Sequence, residues 1–297
     1  MTASVLSETI VPGLPSASGV EIIDDVAYVI GDDSPWLFRL DAATLAPLEH
    51  VLLFDTDAAG PFRLPKLDKP DLECMAAVVW PDGRSGLLLL GSGSRPNRAR
   101  GWFVPTGPGP RPEALDLAPL YARLQPLLPA GAVLNLEAAA TSETELLLFQ
   151  RTVGRADAAL LFRLPLAATL AFVAGGGVGE APAVALLPFE LPLIDGCPAG
   201  FSGATFVHER LVVTASVEDT ADAVLDGAVL GSFVGVVDLT AGTATFARLV
   251  WADGRAYHGK VEGLAVRHAG RNGRWELLLV TDDDAGGSTA VVAEIIA

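Results

Sequence analysis

The seven residues Lys260-Val261-Glu262-Gly263-Leu264-Ala265-Val266 are the clearest copy of a unit that returns along the whole chain. Looser copies are Asp71-Leu72-Glu73-Cys74-Met75-Ala76-Ala77-Val78 and Asn135-Leu136-Glu137-Ala138-Ala139-Ala140-Thr141. Gly19-Val20-Glu21-Ile22-Ile23 is shorter, and Gly200-Phe201-Ser202-Gly203-Ala204-Thr205-Phe206 carries serine in the glutamate place. With Glu21, Glu73, Glu137, Ser202 and Glu262 as anchors, the separations are 52, 64, 65 and 60 residues. The path from Glu262 through both ends back to Glu21 is 56. Self-similarity at a steady period marks a repeat architecture. Here the period closes on itself, so five units account for the full 297 residues.

Each unit has the same internal order. The first runs Gly19–Ile23, Val26–Ile30, Trp36–Leu40 and Leu48–Phe54, separated by segments rich in Asp, Gly, Ser and Pro. Short aliphatic and β-branched runs between such breakers read as strands and turns. Four strands per unit make a propeller blade. The last unit offers only three, Val261–Val266, Trp275–Thr281 and Thr289–Ile296. Ser4–Val11 supplies the fourth, which would seal the ring and remove two open sheet edges. The expectation is an all-β, five-bladed β-propeller in which residues 1–297 form one domain.

Composition narrows the partners. Hydrophobic residues make up 51% of the chain and charged residues 19%, enough for a packed core and unlike a disordered segment. A formal net charge of −16 argues against nucleic acid and against an anionic membrane surface, both of which need a basic footprint. Two cysteines, Cys74 and Cys197, form no disulfide framework. With no basic-then-apolar leader after Met1, the expectation is a cytoplasmic protein. The uncharged run between Arg163 and Glu180 contains Pro165 and three consecutive glycines, and reads as a strand plus a surface loop.

Strand geometry gathers the polar residues at one end. A blade's first strand starts at one channel mouth and its second returns there antiparallel. The motif glutamates therefore share a rim with Asp32-Asp33, Ser92 to Arg95, Gln150-Arg151, Ser216 to Glu218 and Asp282 to Asp284. Glu21, Glu73, Glu137 and Glu262 converging on one axis cannot all ionise unaided. They can cap backbone amides, share protons, pair with cations or bind a metal, and Ca²⁺ suits a loose ring of oxygen ligands. Only three lysines occur, Lys66, Lys69 and Lys260, each just ahead of a motif glutamate. With Arg95, Arg98 and Arg151 they would form a local cationic set facing a small anionic ligand, flanked by Asp32 and Asp282. Lys69 or Lys260 is also the alternative to a metal among the carboxylates. His258 is the only histidine near this mouth, and no Ser-His-Asp order can be drawn.

At Glu262-Gly263-Leu264-Ala265, with Glu73 and Glu137 as looser copies, the chain resembles bacterial propellers with a Glu-Gly-Leu-Ala-type motif, notably the esterase-like phytase group. It also resembles the calcium-activated nucleotidases, or apyrases. Those resemblances imply Ca²⁺ held in the channel by acidic residues of the inner strands and a metal-supported hydrolysis of phosphate or other esters. The alternative is a non-catalytic propeller that binds a small ligand or a protein loop. Glycine follows glutamate in one copy only, and Ser202 interrupts the ring.

Overall fold

The computed structural model describes residues 1–56, 63–151, 159–219, 227–270, 272–283 and 286–297. Most of the acidic stretch 218–226 and residue 284 of the acidic turn lie outside them. The chain opens with β1 (Thr2–Ile10) and then builds a four-stranded sheet from β2 (Ala17–Ile23), β3 (Val26–Gly31), β4 (Trp36–Asp41) and β5 (Val51–Leu52). A second sheet holds β6 (Leu72–Val79), β7 (Ser85–Gly91), β8 (Arg100–Pro105) and β9 (Glu113–Asp116), followed by helix α1 (Ala118–Leu124). A third holds β10 (Leu136–Thr141), β11 (Glu145–Gln150), β12 (Leu160–Pro165) and, after helix α2 (Leu166–Ala174), β13 (Ala185–Pro188). The short pair β14 (Leu193–Ile194) and β15 (Cys197–Pro198) comes next. Then follow β16 (Gly200–Val207), β17 (Arg210–Asp219), β18 (Ala228–Asp238) and β19 (Thr243–Trp251), and finally β20 (Lys260–Ala269), β21 (Arg274–Asp282) and β22 (Ser288–Ile296).

The protein is all-β in plan, and its last sheet differs from the simple expectation. β1 pairs antiparallel with β22, from Thr2 opposite Ile296 to Ile10 opposite Thr289. It also pairs parallel with β19, Ala3 to Val5 opposite Leu249 to Trp251. One strand thus has two partners, and the last two groups of four merge into one eight-stranded sheet. Ala3 and Val5 are buried at this junction, and Tyr257 donates a 2.9 Å hydrogen bond to Glu8 across it.

The first strands β2, β6, β10, β16 and β20 contact one another in that order, and β20 contacts β2 again. The core repeats the same circuit. One cluster joins Tyr28, Ile30 and Leu37 to Leu87, Leu89 and Trp102, and another joins Phe149 and Leu161 to Phe201 and Val213. Ala265, Leu278 and Val280 of the final strands pack on Ala17, Val29 and Phe38 of the first sheet. Sheets covered on both faces require unbroken apolar strands rather than alternation. That is what Leu87-Leu88-Leu89-Leu90, Leu146-Leu147-Leu148-Phe149 and Leu277-Leu278-Leu279-Val280 provide.

The run after Arg163 is not the loop that its glycines imply. Residues 166–174 form α2, because Leu-Ala-Ala-Thr-Leu-Ala-Phe-Val-Ala precedes the glycines and is rich in helix formers. Leu170, Phe172 and Val173 bury against the core shared by the second and third sheets. Among the described residues no helix is long and apolar enough to cross a membrane.

Candidate functional site

Each first strand carries one irregularity near its start. The pairing register skips a residue at Ser18, Glu73, Glu137, Ser202 and Glu262. A bulged residue is left out of the ladder and its side chain is re-aimed, here toward the axis. Ser18, Glu73, Glu137 and Glu262 line an axial void of about 10 Å³, space for about one water. The repeat reading therefore holds at four anchors and slips at the first. Glu21 lies three residues past the bulge, opposite Tyr28 on β3. Burial pushes its carboxyl up to about 8, opposed by the amides of Ala77 and Ile22. Ser18 takes the bulge position and donates to the Leu72 carbonyl at 2.5 Å, tying the first sheet to the second.

The glycine of the motif has a packing reason. A Cβ on Gly263 would lie 2.8 Å from Gly19 Cα, and one on Gly203 would lie 3.1 Å from Gly263 Cα. Gly19, Gly203 and Gly263 each follow a bulge, so three first strands approach closely just behind the site. Cys74 and Ala138 occupy the same place in the second and third repeats.

The mouth holds two charge clusters. In the first, the Lys69 ammonium pairs with Asp32 and lies 2.8 Å from Asp71. Arg98 donates to Asp71 at 2.6 Å, and Ser92 donates to it at 2.5 Å. Oxygens of Asp32, Asp71 and Glu73 lie within 4.8 Å of one another, so the three could share one metal ion. Glu73 has no hydrogen bond and no ion pair among the described residues, and one oxygen of Asp32 is buried without a partner. Burial, with the Glu137 charge next in weight, holds the Glu73 carboxyl well above the usual range. Burial also raises Asp32, to about 6, although Lys69 opposes it. Burial works against the Lys69 ammonium, but Asp32, Asp71 and Glu73 outweigh it and raise its pKa.

In the second cluster, Arg151 pairs with Glu218, with Glu137 at 3.2 Å and with Glu262 at 3.4 Å. Lys260 lies 3.3 Å from Glu262 and 3.5 Å from Glu218. Asn135 donates to Glu137 at 2.5 Å. Burial raises Glu137 to about 7; Arg151 pulls it down and Glu262 pushes it up. Each cluster thus sets three carboxyl groups against two cations.

The structure therefore brings Lys69, Arg151, Lys260, Asp32, Glu73, Glu137 and Glu262 to one mouth, in two groups. Asp282 pairs in register with Lys260 at the same rim, and its charge is felt by Arg63, which is bound to Asp33 at 2.5 Å. Arg95 is not in either cluster: it is exposed, at the start of a short 3-10 turn. Lys66 and His258 are exposed as well. Asp71 is the residue that sequence reasoning overlooked. It precedes Glu73 by two places, as Lys260 precedes Glu262, and that shared spacing was a readable signal. Its positive φ of 55° turns the chain into the bulge.

A family profile described as "Family of unknown function (DUF6929)" matches residues 13–295. The chain belongs to this family. No curated protein matches it. Among solved structures, the Myxococcus xanthus glutaminyl cyclase shares 12% identity over 99% of this chain and 97% of that chain, with a TM-score of 0.51. The Cps50 (Swd1) β-propeller domain of Myceliophteria thermophila shares 9% identity over 98% and 100%, with a TM-score of 0.42. The PQQ-bound aldose sugar dehydrogenase of Streptomyces coelicolor shares 12% over 98% of each chain, with a TM-score of 0.39. DUF6929 membership replaces the phytase and nucleotidase resemblance as the family placement, and the structural likenesses concern the fold.

Proposed function

We propose that residues 1–297 form one five-bladed β-propeller whose channel mouth binds a small cation, in the simplest case Ca²⁺, on Asp32, Asp71 and Glu73. Five first strands in a closed circuit, and β1 completing the last group beside β22, support the blade count. One observation carries the cation reading: Glu73 faces the axial void with neither a hydrogen bond nor an ion pair among the described residues, beside two other carboxylates. A carboxylate in such a place must take up a proton or a cation. Glu137 and Glu262 are satisfied by Arg151 and Lys260, so the ion belongs on the first cluster rather than on the whole ring. Lys69 stands among the same oxygens and would swing aside as the ion enters.

Two uses of that site remain distinct. A bound hard cation would polarise a phosphate or ester oxygen, the chemistry of a metal-supported hydrolase. Binding without turnover is favoured by the serines of the mouth. Ser92 is bonded to Asp71, and Ser216 to the carbonyl of Val261 at 2.6 Å, rather than to a histidine base.

Calorimetry of chelator-treated protein titrated with Ca²⁺ tests the first claim. Saturable heat is expected, lost in Glu73→Gln and Asp71→Asn and kept in Glu137→Gln, and Ca²⁺ should raise the melting temperature. A flat titration with no thermal shift means that a proton, not a metal, neutralises Glu73. Assays with p-nitrophenyl phosphate and p-nitrophenyl acetate, with and without Ca²⁺, then separate hydrolase from binder.

A further inference from the structure

A second concavity lies at the opposite end of the first two sheets, away from the mouth. It encloses about 850 Å³ between Tyr28, Arg39 and Val51-Leu52 of the first sheet and residues 106–110, the turn after β8. That is the size of a small-molecule site, in which a few placed polar groups set what is bound. Arg39 is the distinctive group. Its guanidinium carbon lies 5.7 Å from the centre of the Tyr28 ring. Its Nε is buried with no hydrogen-bond partner, and it forms no ion pair among the described residues.

The absence of a pair is not for want of carboxylates. Asp24 and Glu49 line the same cleft, yet neither reaches Arg39. Lys69, Arg98, Arg151 and Lys260 at the mouth all have carboxylate partners. Arg39 is a half-buried cation held against an aromatic face with its bonding capacity unspent. A guanidinium fork so placed is matched by the two oxygens of a carboxylate or phosphate. Val26 and Val51, on the same face of the first sheet as Arg39 and Tyr28, supply apolar contact for the rest of a ligand.

We propose that this cleft is a binding site for a small molecule bearing a carboxylate or phosphate group, which seats on Arg39 while its apolar body lies along Val26 and Val51. The site is separate from the mouth and does not depend on a cation there.

The test is titration with sodium benzoate and with phenyl phosphate, followed by calorimetry and by NMR of the tyrosine rings. Saturable binding of at least one probe is expected, weakened tenfold or more in Arg39→Met and unchanged in Glu73→Gln. Benzoate and phenyl phosphate distinguish a carboxylate ligand from a phosphate one. Should Arg39→Met fold poorly, Val26→Trp offers an independent route, since Val26 lines the cleft on the Arg39 face, is only partly buried, and the larger ring should block the probe. The proposal is overturned if neither probe saturates by about 10 mM, a limit of only some 3 kcal/mol. It is equally overturned if a folded Arg39→Met or Val26→Trp binds as tightly as the parent.

Discussion

Arg151, at the end of β11, reaches Glu262 on β20 across 3.4 Å of space and 111 residues of chain. The same guanidinium holds Glu137 and Glu218, so one side chain neutralises carboxylates from three of the repeated units. Its side chain is only 6% exposed, which places these charges where removing one partner strands the others.

Arg151→Met should therefore destabilise the protein by about 3–5 kcal/mol, the usual result of breaking a buried charge network from one side. Urea unfolding measures it. A loss below about 1 kcal/mol would mean that water already screens the cluster.

Stability should fall as pH rises through the window set by Glu137. Its carboxyl titrates near 4.5 in the unfolded chain and near 7 when folded. The folded state binds more protons between those values, so the unfolding free energy decreases with pH there, by up to about 1.4 kcal/mol per unit. Glu137→Gln should flatten that slope in thermal unfolding between pH 4.5 and 7, and an unchanged slope would assign the proton elsewhere.

Gly263→Ala should cost about 1–3 kcal/mol through overpacking, because the new methyl would meet the Gly19 backbone at 2.8 Å. Gly254→Ala is the control: it lies in open space and pays only for its positive φ of 85°. A larger loss at Gly254 would undo the packing account of the motif glycine.

Removing residues 2–10 should do more than trim an end. β1 is bonded on both edges, to β22 and to β19, and its loss opens two long strands at once. The expected outcome is a large drop in melting temperature with aggregation seen by light scattering. A truncated protein that melts like the parent would show that the junction contributes little.

The architecture was legible because its causes are local. Apolar runs cut by Asp, Gly, Ser and Pro mark strands and turns, and their return at a steady spacing marks repeated sheets. Ser4–Val11 was expected beside Thr289–Ile296, and Thr2–Ile10 lies there. Helix α2 escaped because a short apolar run carries no periodicity that separates it from a strand.

The site was legible only in outline. Residue spacing brought Glu73, Glu137 and Glu262 to one mouth, but it could not distinguish Glu21 from Ser18, three places earlier. That choice belongs to the register of β2 against β3, and a bulge shifts every later side chain to the other face. Nor does a linear pattern say that Arg151 serves three carboxylates while Glu73 has no hydrogen bond or ion pair among the described residues. Which long side chain reaches which charge depends on the distance between sheets, and the closing of the ring sets that distance.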